Sequence, residues 1–160
     1  MRKALENPYM IDSIIFDWKR TLYDPDTKTL IDGTKEILNK IQEIGIPMTL
    51  VGKGGQDMYS ETKRLNVEKY FKNIIFNEGP KEKELFEPYI SKNNPRATLF
   101  IGDRIRSELA AGKSLGTTTL WVRQGKFATE EPENAAQNPD YTVNSLLEAN
   151  SLLDELLKKI

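Results

Sequence analysis

The chain contains neither cysteine nor histidine. Their absence removes disulfides, thiolate nucleophiles, Cys/His zinc sites and imidazole general bases, so any chemistry falls to carboxylates, lysine, hydroxyls or a hard metal ion. An excess of one charge is missing too: 23 Lys and Arg stand against 24 Asp and Glu, a net charge of −1. With both signs interspersed, no field favours nucleic acid or an acidic membrane surface, and a small or locally recognised ligand fits better. No apolar run approaches the roughly 20 residues of a membrane-spanning helix. The stretch Met1 to Pro8 lacks the apolar core of a signal peptide, so the expected location is cytoplasmic. The 160 residues suffice for one hydrophobic core, and a single domain is expected over 1–160 with its core over about 12–158.

What is present is an alternation of strand-length apolar runs with segments of helical period, the pattern of a parallel sheet built from βαβ units. Asp12 to Asp17, Pro47 to Gly52, Asn73 to Phe76, Ala97 to Gly102 and Thr117 to Val122 read as strands, followed by a short one at Tyr141 to Val143. Ile37, Leu38, Ile41 and Ile44 recur at helical spacing, and Gly45 and Pro47 end that helix. Further helices are expected over Asp57 to Leu65, Lys81 to Ile90, Arg104 to Leu115 and Ser145 to Lys159. In the last of these, Ser145 and Glu148 have capping-box spacing, while Leu146, Leu147, Leu152, Leu153, Leu156 and Leu157 form an apolar side that either packs on the core or pairs with a second copy. Residues Arg123 to Asp140 hold two prolines and no period, so they read as a long loop. The expected fold class is α/β: a three-layer α/β/α, Rossmann-like domain with a mostly parallel central sheet.

Two runs bear on chemistry. Ile14-Ile15-Phe16-Asp17-Trp18-Lys19-Arg20-Thr21 and Leu99-Phe100-Ile101-Gly102-Asp103-Arg104-Ile105-Arg106-Ser107-Glu108 each end an apolar strand in an aspartate. At the carboxyl edge of a parallel sheet, two such carboxylates side by side suit a magnesium ion. Either aspartate taken alone is also a common turn or helix-capping residue, and Asp103 is well placed to cap the helix expected after it.

Together the runs resemble motifs one (D-x-D-x-T) and four (G-D-x-x-x-x-D) of the haloacid dehalogenase (HAD) superfamily, and the resemblance extends from about Asp12 onward. It implies a HAD-like hydrolase of phosphatase type, dependent on Mg2+, acting through an aspartyl phosphate on a phosphorylated small molecule or phosphoprotein. In that reading Asp17 is the nucleophile, Thr21 orients its loop, and Asp17, Asp103 and the Lys19 backbone carbonyl hold the metal. Glu108 replaces the last aspartate of motif four and acts through water. Motif three calls for a lysine, given to Lys81 with Lys83 as the alternative. Motif two lacks its usual hydroxyl, leaving the glycine-rich turn around Gly52 and Lys53 as the phosphate contact.

The segment Leu22 to Ile31 is long enough for a small flap and not for a cap domain, and the stretch from Gly52 to Ala97 is filled by two helices and a strand, which implies a capless member. Trp18, Trp121, Arg123, Lys126 and Phe127 are expected around the site's mouth, with Arg123 and Lys126 either meeting substrate anions or remaining solvated. Without a cap, closing the site calls for a bulky substrate or a homo-oligomer.

The main departure from the family pattern is Lys19, where phosphatases of the superfamily have an acid/base aspartate. Flanked by Asp17 and Asp103, a lysine stays an ammonium ion, able to donate to a leaving oxygen and poorly suited to activating water. Leaving groups that need no acid are therefore expected to be favoured. The competing expectation is a non-catalytic HAD-like domain that binds a phosphorylated ligand or a protein partner.

Overall fold

The computed structural model describes residues 10–157. Its centre is a six-stranded sheet in the order β5-β4-β1-β6-β7-β8, made by β1 (Ser13–Phe16), β4 (Met48–Lys53), β5 (Asn73–Asn77), β6 (Thr98–Gly102), β7 (Thr118–Val122) and β8 (Tyr141–Val143). Every neighbouring pair in this sheet is parallel. The two remaining strands, β2 (Tyr23–Asp24) and β3 (Thr29–Leu30), form a separate antiparallel hairpin where the flap was expected.

Period-two alternation distributes the strand side chains over two faces. Ile14, Phe16, Leu99, Ile101, Leu120 and Val122 join one apolar cluster with α1 (Thr34–Ile44), α2 (Gln56–Arg64) and α5 (Leu146–Leu156). Ile15, Phe100 and Trp121 face the other way, into a smaller cluster with Phe86 of α3 (Lys83–Phe86) and Leu109 of α4 (Glu108–Ser114). Three layers result, with helices on both sides of a wholly buried β1 to β6 contact.

Several element boundaries differ from expectation for identifiable reasons. The helix expected from Lys81 to Ile90 is a single α-turn, Lys83–Phe86, followed by a 3-10 turn at Glu87–Tyr89 that contains Pro88, which has no amide hydrogen to continue the ladder. Lys81 lies ahead of that turn, which begins only at Lys83, and approaches the sheet edge outside any helix. The helix expected from Arg104 begins only at Glu108, because the Glu108 carboxylate folds back to accept the Asp103 and Arg104 amides at 3.1 and 2.9 Å. Asp103 does not cap this helix; its N-cap is Ser107, which makes no side-chain cap bond.

Helix α1 ends as expected at Gly45, whose φ of 90° lets its amide reach back to Ile41 and Gln42. In α5 the Ser145 hydroxyl accepts the Glu148 amide, but the returning Glu148 carboxylate takes the Asn144 amide instead of that of Ser145. Leu146, Leu153, Leu156 and Leu157 are buried in the core, whereas Leu147 is 55% exposed and lies off that side. The long loop contains two 3-10 turns, Gly125–Phe127 and Ala135–Gln137. Met1 to Pro8 and the last two residues of the helix expected to reach Lys159 lie outside the described residues.

Phe100 packs edge-on to Phe86 at 4.9 Å between centroids, beneath the backbone of Gly112, where an added Cβ would come within 2.5 Å of its ring. Phe100→Ala is expected to destabilise the fold by about 3–5 kcal/mol in urea unfolding, through lost burial and an unfilled cavity. A loss below about 1 kcal/mol would show that this second apolar cluster collapses without cost.

Candidate active site

The sheet order places β1 and β6 side by side at its centre, so the loops leaving their carboxyl ends emerge together. Asp17 continues β1 by one residue, its amide donating to the Ile101 carbonyl at 3.0 Å. The chain then turns tightly: the Trp18 carbonyl accepts the amides of Thr21, Leu22 and Tyr23, and Arg20 takes a left-handed φ of 66°. Trp18 itself is fully buried and stacks on Tyr23 at 5.0 Å, so it underlies the loop instead of lining the mouth as expected. From across the sheet, the Gln124 amide nitrogen donates to the carbonyls of Arg20 and Thr21, each at 3.2 Å.

The turn after β6 is held from two directions. Trp121 donates its indole N–H to the Asp103 carbonyl at 2.9 Å, and Glu108 holds the amides above. Gly102 makes the second contact possible, because a Cβ there would lie 2.6 Å from the Glu108 Oε2 atom. Lys81 completes the cluster: its Nζ is 2.9 Å from Asp17 Oδ1 and 3.2 Å from Glu108 Oε1. The Thr21 hydroxyl lies 3.4 Å from Asp17 Oδ2 and 3.3 Å from Asp103 Oδ1, within reach of either but with one proton to give.

Asp17, Asp103 and Glu108 thus bring carboxylate oxygens within 4.8 Å of one another in a buried setting. Lys81 offsets only one of the three charges, leaving a formal −2. Burial first, then the neighbouring Glu108 and Asp17 charges, push the Asp103 carboxyl up to about 10. Burial and Asp17 likewise raise Glu108, against the lowering effect of Lys81 and the two amides. Burial by itself would lower Lys81, but Asp17 and Glu108 outweigh it and hold the ammonium above its ordinary value.

The Asp103 Oδ2 atom is buried without a hydrogen-bond partner among the described residues. An all-oxygen donor set, an unpartnered buried oxygen and a surplus of two negative charges suit a hard dication such as Mg2+. Both Glu108 oxygens are already engaged, so its part is to orient Lys81 and the Asp103 turn.

A cavity of about 440 Å3 opens over this cluster, lined among others by Asp17, Lys19, Lys53, Lys81, Asp103 and Phe127. Lys83, the alternative to Lys81, is exposed on α3. Four residues expected at the phosphate contact or the mouth lie elsewhere. Gly52 does not line the cavity: it sits within β4 where a Cβ would meet Trp18 at 2.8 Å, and the next turn's amides are spent, Gly54 on Asn77 and Gly55 on Asp57. Arg123 turns away, its Nε donating to the Ala128 carbonyl and its guanidinium 5.5 Å from the Trp121 ring centroid. Trp121 is buried beneath the Asp103 turn, and Lys126 lines a neighbouring cavity.

The structure adds cations that sequence reasoning passed over. Arg20, Arg104 and Arg106 all line the cavity, and the first two lie 5.9 and 4.1 Å from the Phe127 ring centroid. All three fall inside the two motif runs, which was the available signal.

The family model described as HAD-hydrolase-like matches residues 78–149. Over that span the chain resembles the HAD-hydrolase-like family. Among HAD-like structures, a HAD-superfamily hydrolase from Ehrlichia chaffeensis superposes with a TM-score of 0.72 at 16% identity, covering 95% of this chain and 100% of the other. A magnesium-bound HAD-hydrolase of Bacillus subtilis gives a TM-score of 0.66 at 23% identity, covering 82% of this chain and 57% of that one. In sequence, the glyceraldehyde 3-phosphate phosphatase of Methanocaldococcus jannaschii is 25% identical over 132 residues, 78% of this chain and 57% of the relative. The chain spans about half the length of the curated relatives it matches.

With divalent cations chelated, folded Asp103 retains a proton that an unfolded chain releases near pH 4. A raised carboxyl favours the fold fully below its unfolded pKa and progressively less as pH climbs toward its folded value. Stability in chelator is therefore expected to fall between about pH 5 and about pH 8, and Asp103→Asn to raise and flatten that profile. Chemical unfolding across the range checks both; a native profile that rises over it would contradict the assignment.

Proposed function

We propose that the chain is a Mg2+-dependent phosphohydrolase that works through an aspartyl phosphate on Asp17. The observation that carries this reading is the Lys81 ammonium resting on Asp17, next to an Asp103 oxygen that lacks a partner. Asp17 Oδ attacks phosphorus, and the bond from phosphorus to the leaving oxygen breaks as the new one forms. Lys81 offsets charge shared by Asp17 and the phosphoryl oxygens, Thr21 fixes the carboxylate, and Glu108 keeps Lys81 charged and in place. Asp17, Asp103 and the Lys19 carbonyl would hold the metal, which when bound supplies charge neutralisation for the incoming phosphoryl group.

Lys19 lines the same cavity and offers its ammonium as a hydrogen-bond donor to the leaving oxygen while keeping its proton. As an ammonium it offers no lone pair to the water that must next attack the aspartyl phosphate, so dephosphorylation is the slow step. Acyl and aryl phosphates, which need no acid, are the favoured substrates over alkyl phosphates. The hairpin β2–β3 is the only insertion between β1 and α1 among the described residues, which supports a capless domain. A small phosphorylated molecule closed in by the hairpin and the 123–140 loop fits this, as does a phosphoprotein or a second copy covering the mouth. The relatives named as glyceraldehyde 3-phosphate phosphatases support the phosphatase class. The same Lys19 also favours a second reading, a non-catalytic domain in which its charge serves only to bind a phosphorylated ligand.

Phosphate release from acetyl phosphate and p-nitrophenyl phosphate decides between the two. Native protein with Mg2+ is expected to turn both over, and either chelation or Asp17→Asn to abolish it; equal inertness of native and variant protein would leave only the binding reading. With acetyl phosphate, a large fraction of the native protein should be phosphorylated in the steady state. Lys19→Asp should shorten that intermediate's life and raise turnover of an alkyl phosphate by a factor of about 10² or more. Only a trace of phosphoprotein would refute the slow second step.

A further inference from the structure

A single phosphoryl group is amply provided for by Lys81 and Lys19, yet the cavity lining continues with more positive charge. Arg104 and Arg106 are partly spoken for: the Arg104 Nε lies 2.9 Å from Glu130 Oε2, and Arg106 reaches the Glu131 carbonyl at 2.8 Å. Arg20 and Lys53 have no ion-pair partner among the described residues. Lys53 is exposed at the end of β4, whereas Arg20 is half-buried.

The position of Arg20 is built. Its left-handed backbone, unusual for a side chain of this size, is pinned by its amide to the Tyr23 carbonyl at 2.6 Å and by Gln124 on its own carbonyl. Arg20 also lines a second cavity of about 500 Å3, between the hairpin and residues 124–126, so its side chain borders both spaces. Asp24, Asp26 and Lys126 line that second cavity, so apart from Arg20 its acidic groups outnumber its cations by one. A guanidinium carried on a fixed backbone at the border between the two is suited to a short, planar anion arriving with the phosphate.

We propose that the ligand of this site carries a second anionic group, a carboxylate on a short leaving group, received by Arg20, with Lys53 adding positive charge elsewhere in the same lining. This rests on the reading of the cavity as a phosphate site and narrows its substrate class. It sets the chain apart from an enzyme for glyceraldehyde 3-phosphate, whose far end is an uncharged aldehyde.

Two phosphonates of equal chain length, which the proposed chemistry does not cleave, test it: 3-phosphonopropionate ends in a carboxylate and 3-hydroxypropylphosphonate in a hydroxyl. Titration calorimetry on the native protein with Mg2+ should show the carboxylate bound at least about 10-fold more tightly, as expected for one charge-assisted contact. The ratio should shrink with added salt. Arg20→Asn, which tolerates the left-handed backbone, should bring the ratio close to one, and Arg20→Lys should restore part of it. Equal affinities in the native protein, no measurable binding of either ligand, or a preference untouched by a folded Arg20→Asn would each overturn the proposal. Should that variant fail to fold, the native ratio and its salt dependence decide. Because binding is the readout, a preference found in a protein inert toward phosphate esters would sink the phosphohydrolase reading alone, and equal affinities in an active enzyme would sink this proposal alone.

Discussion

Three carboxylates crowded around one ammonium in a buried pocket are the constraint to which the surrounding structure answers. Left to themselves, like charges so close would protonate or separate, since burial removes the water that screens them. The fold holds them together by fixed donors. Two backbone amides take one oxygen of Glu108, Lys81 bridges Asp17 to its other oxygen, and the Thr21 hydroxyl lies between Asp17 and Asp103. The atom left over, Asp103 Oδ2, marks where the arrangement is incomplete without a cation or a proton.

The sheet supplies what this crowding requires. Two neighbouring parallel strands end at the same level, and the residues beneath them are apolar on both faces, so neither loop can sink or swing. Strand alternation places Asp17 on the side of Ile15, the face covered by α3 and α4, where the segment leading into α3 brings Lys81 and α4 begins with Glu108. Packing is therefore part of the electrostatics: the register of β1 chooses which helices the carboxylate meets.

Much of this was legible in the chain. Apolar runs ending in Asp17 and Asp103 gave the strands and their shared edge, because burial on both faces leaves a plain signal in composition. Lys81 was found only through the family pattern, since the run Lys81-Glu82-Lys83-Glu84 reads locally as a solvated helix face; in the structure the helix starts only at Lys83 and leaves Lys81 ahead of it. The folding back of Glu108 was hidden, as were the buried places of Trp18 and Trp121. Each depends on a specific contact, with backbone amides, Tyr23 or the Asp103 carbonyl, that no hydrophobic period encodes. Arg123 misled for the opposite reason: a loop cation near a site looks available until the Ala128 carbonyl is seen to occupy it.

The stretch from Arg123 to Asp140 is the longest irregular part of the chain, and irregularity usually implies freedom. Here Glu130 is tied to Arg104 beside the site, Asp140 to Arg96 and to the β7 backbone at Thr119, and the Lys113 ammonium to the Asn138 carbonyl. Stitched at intervals to the very turn that bears Asp103, the loop divides into short spans whose ends are already closed, and short closed spans have little entropy left to lose. Its length therefore measures how much wall the site possesses, and not how far that wall can stray.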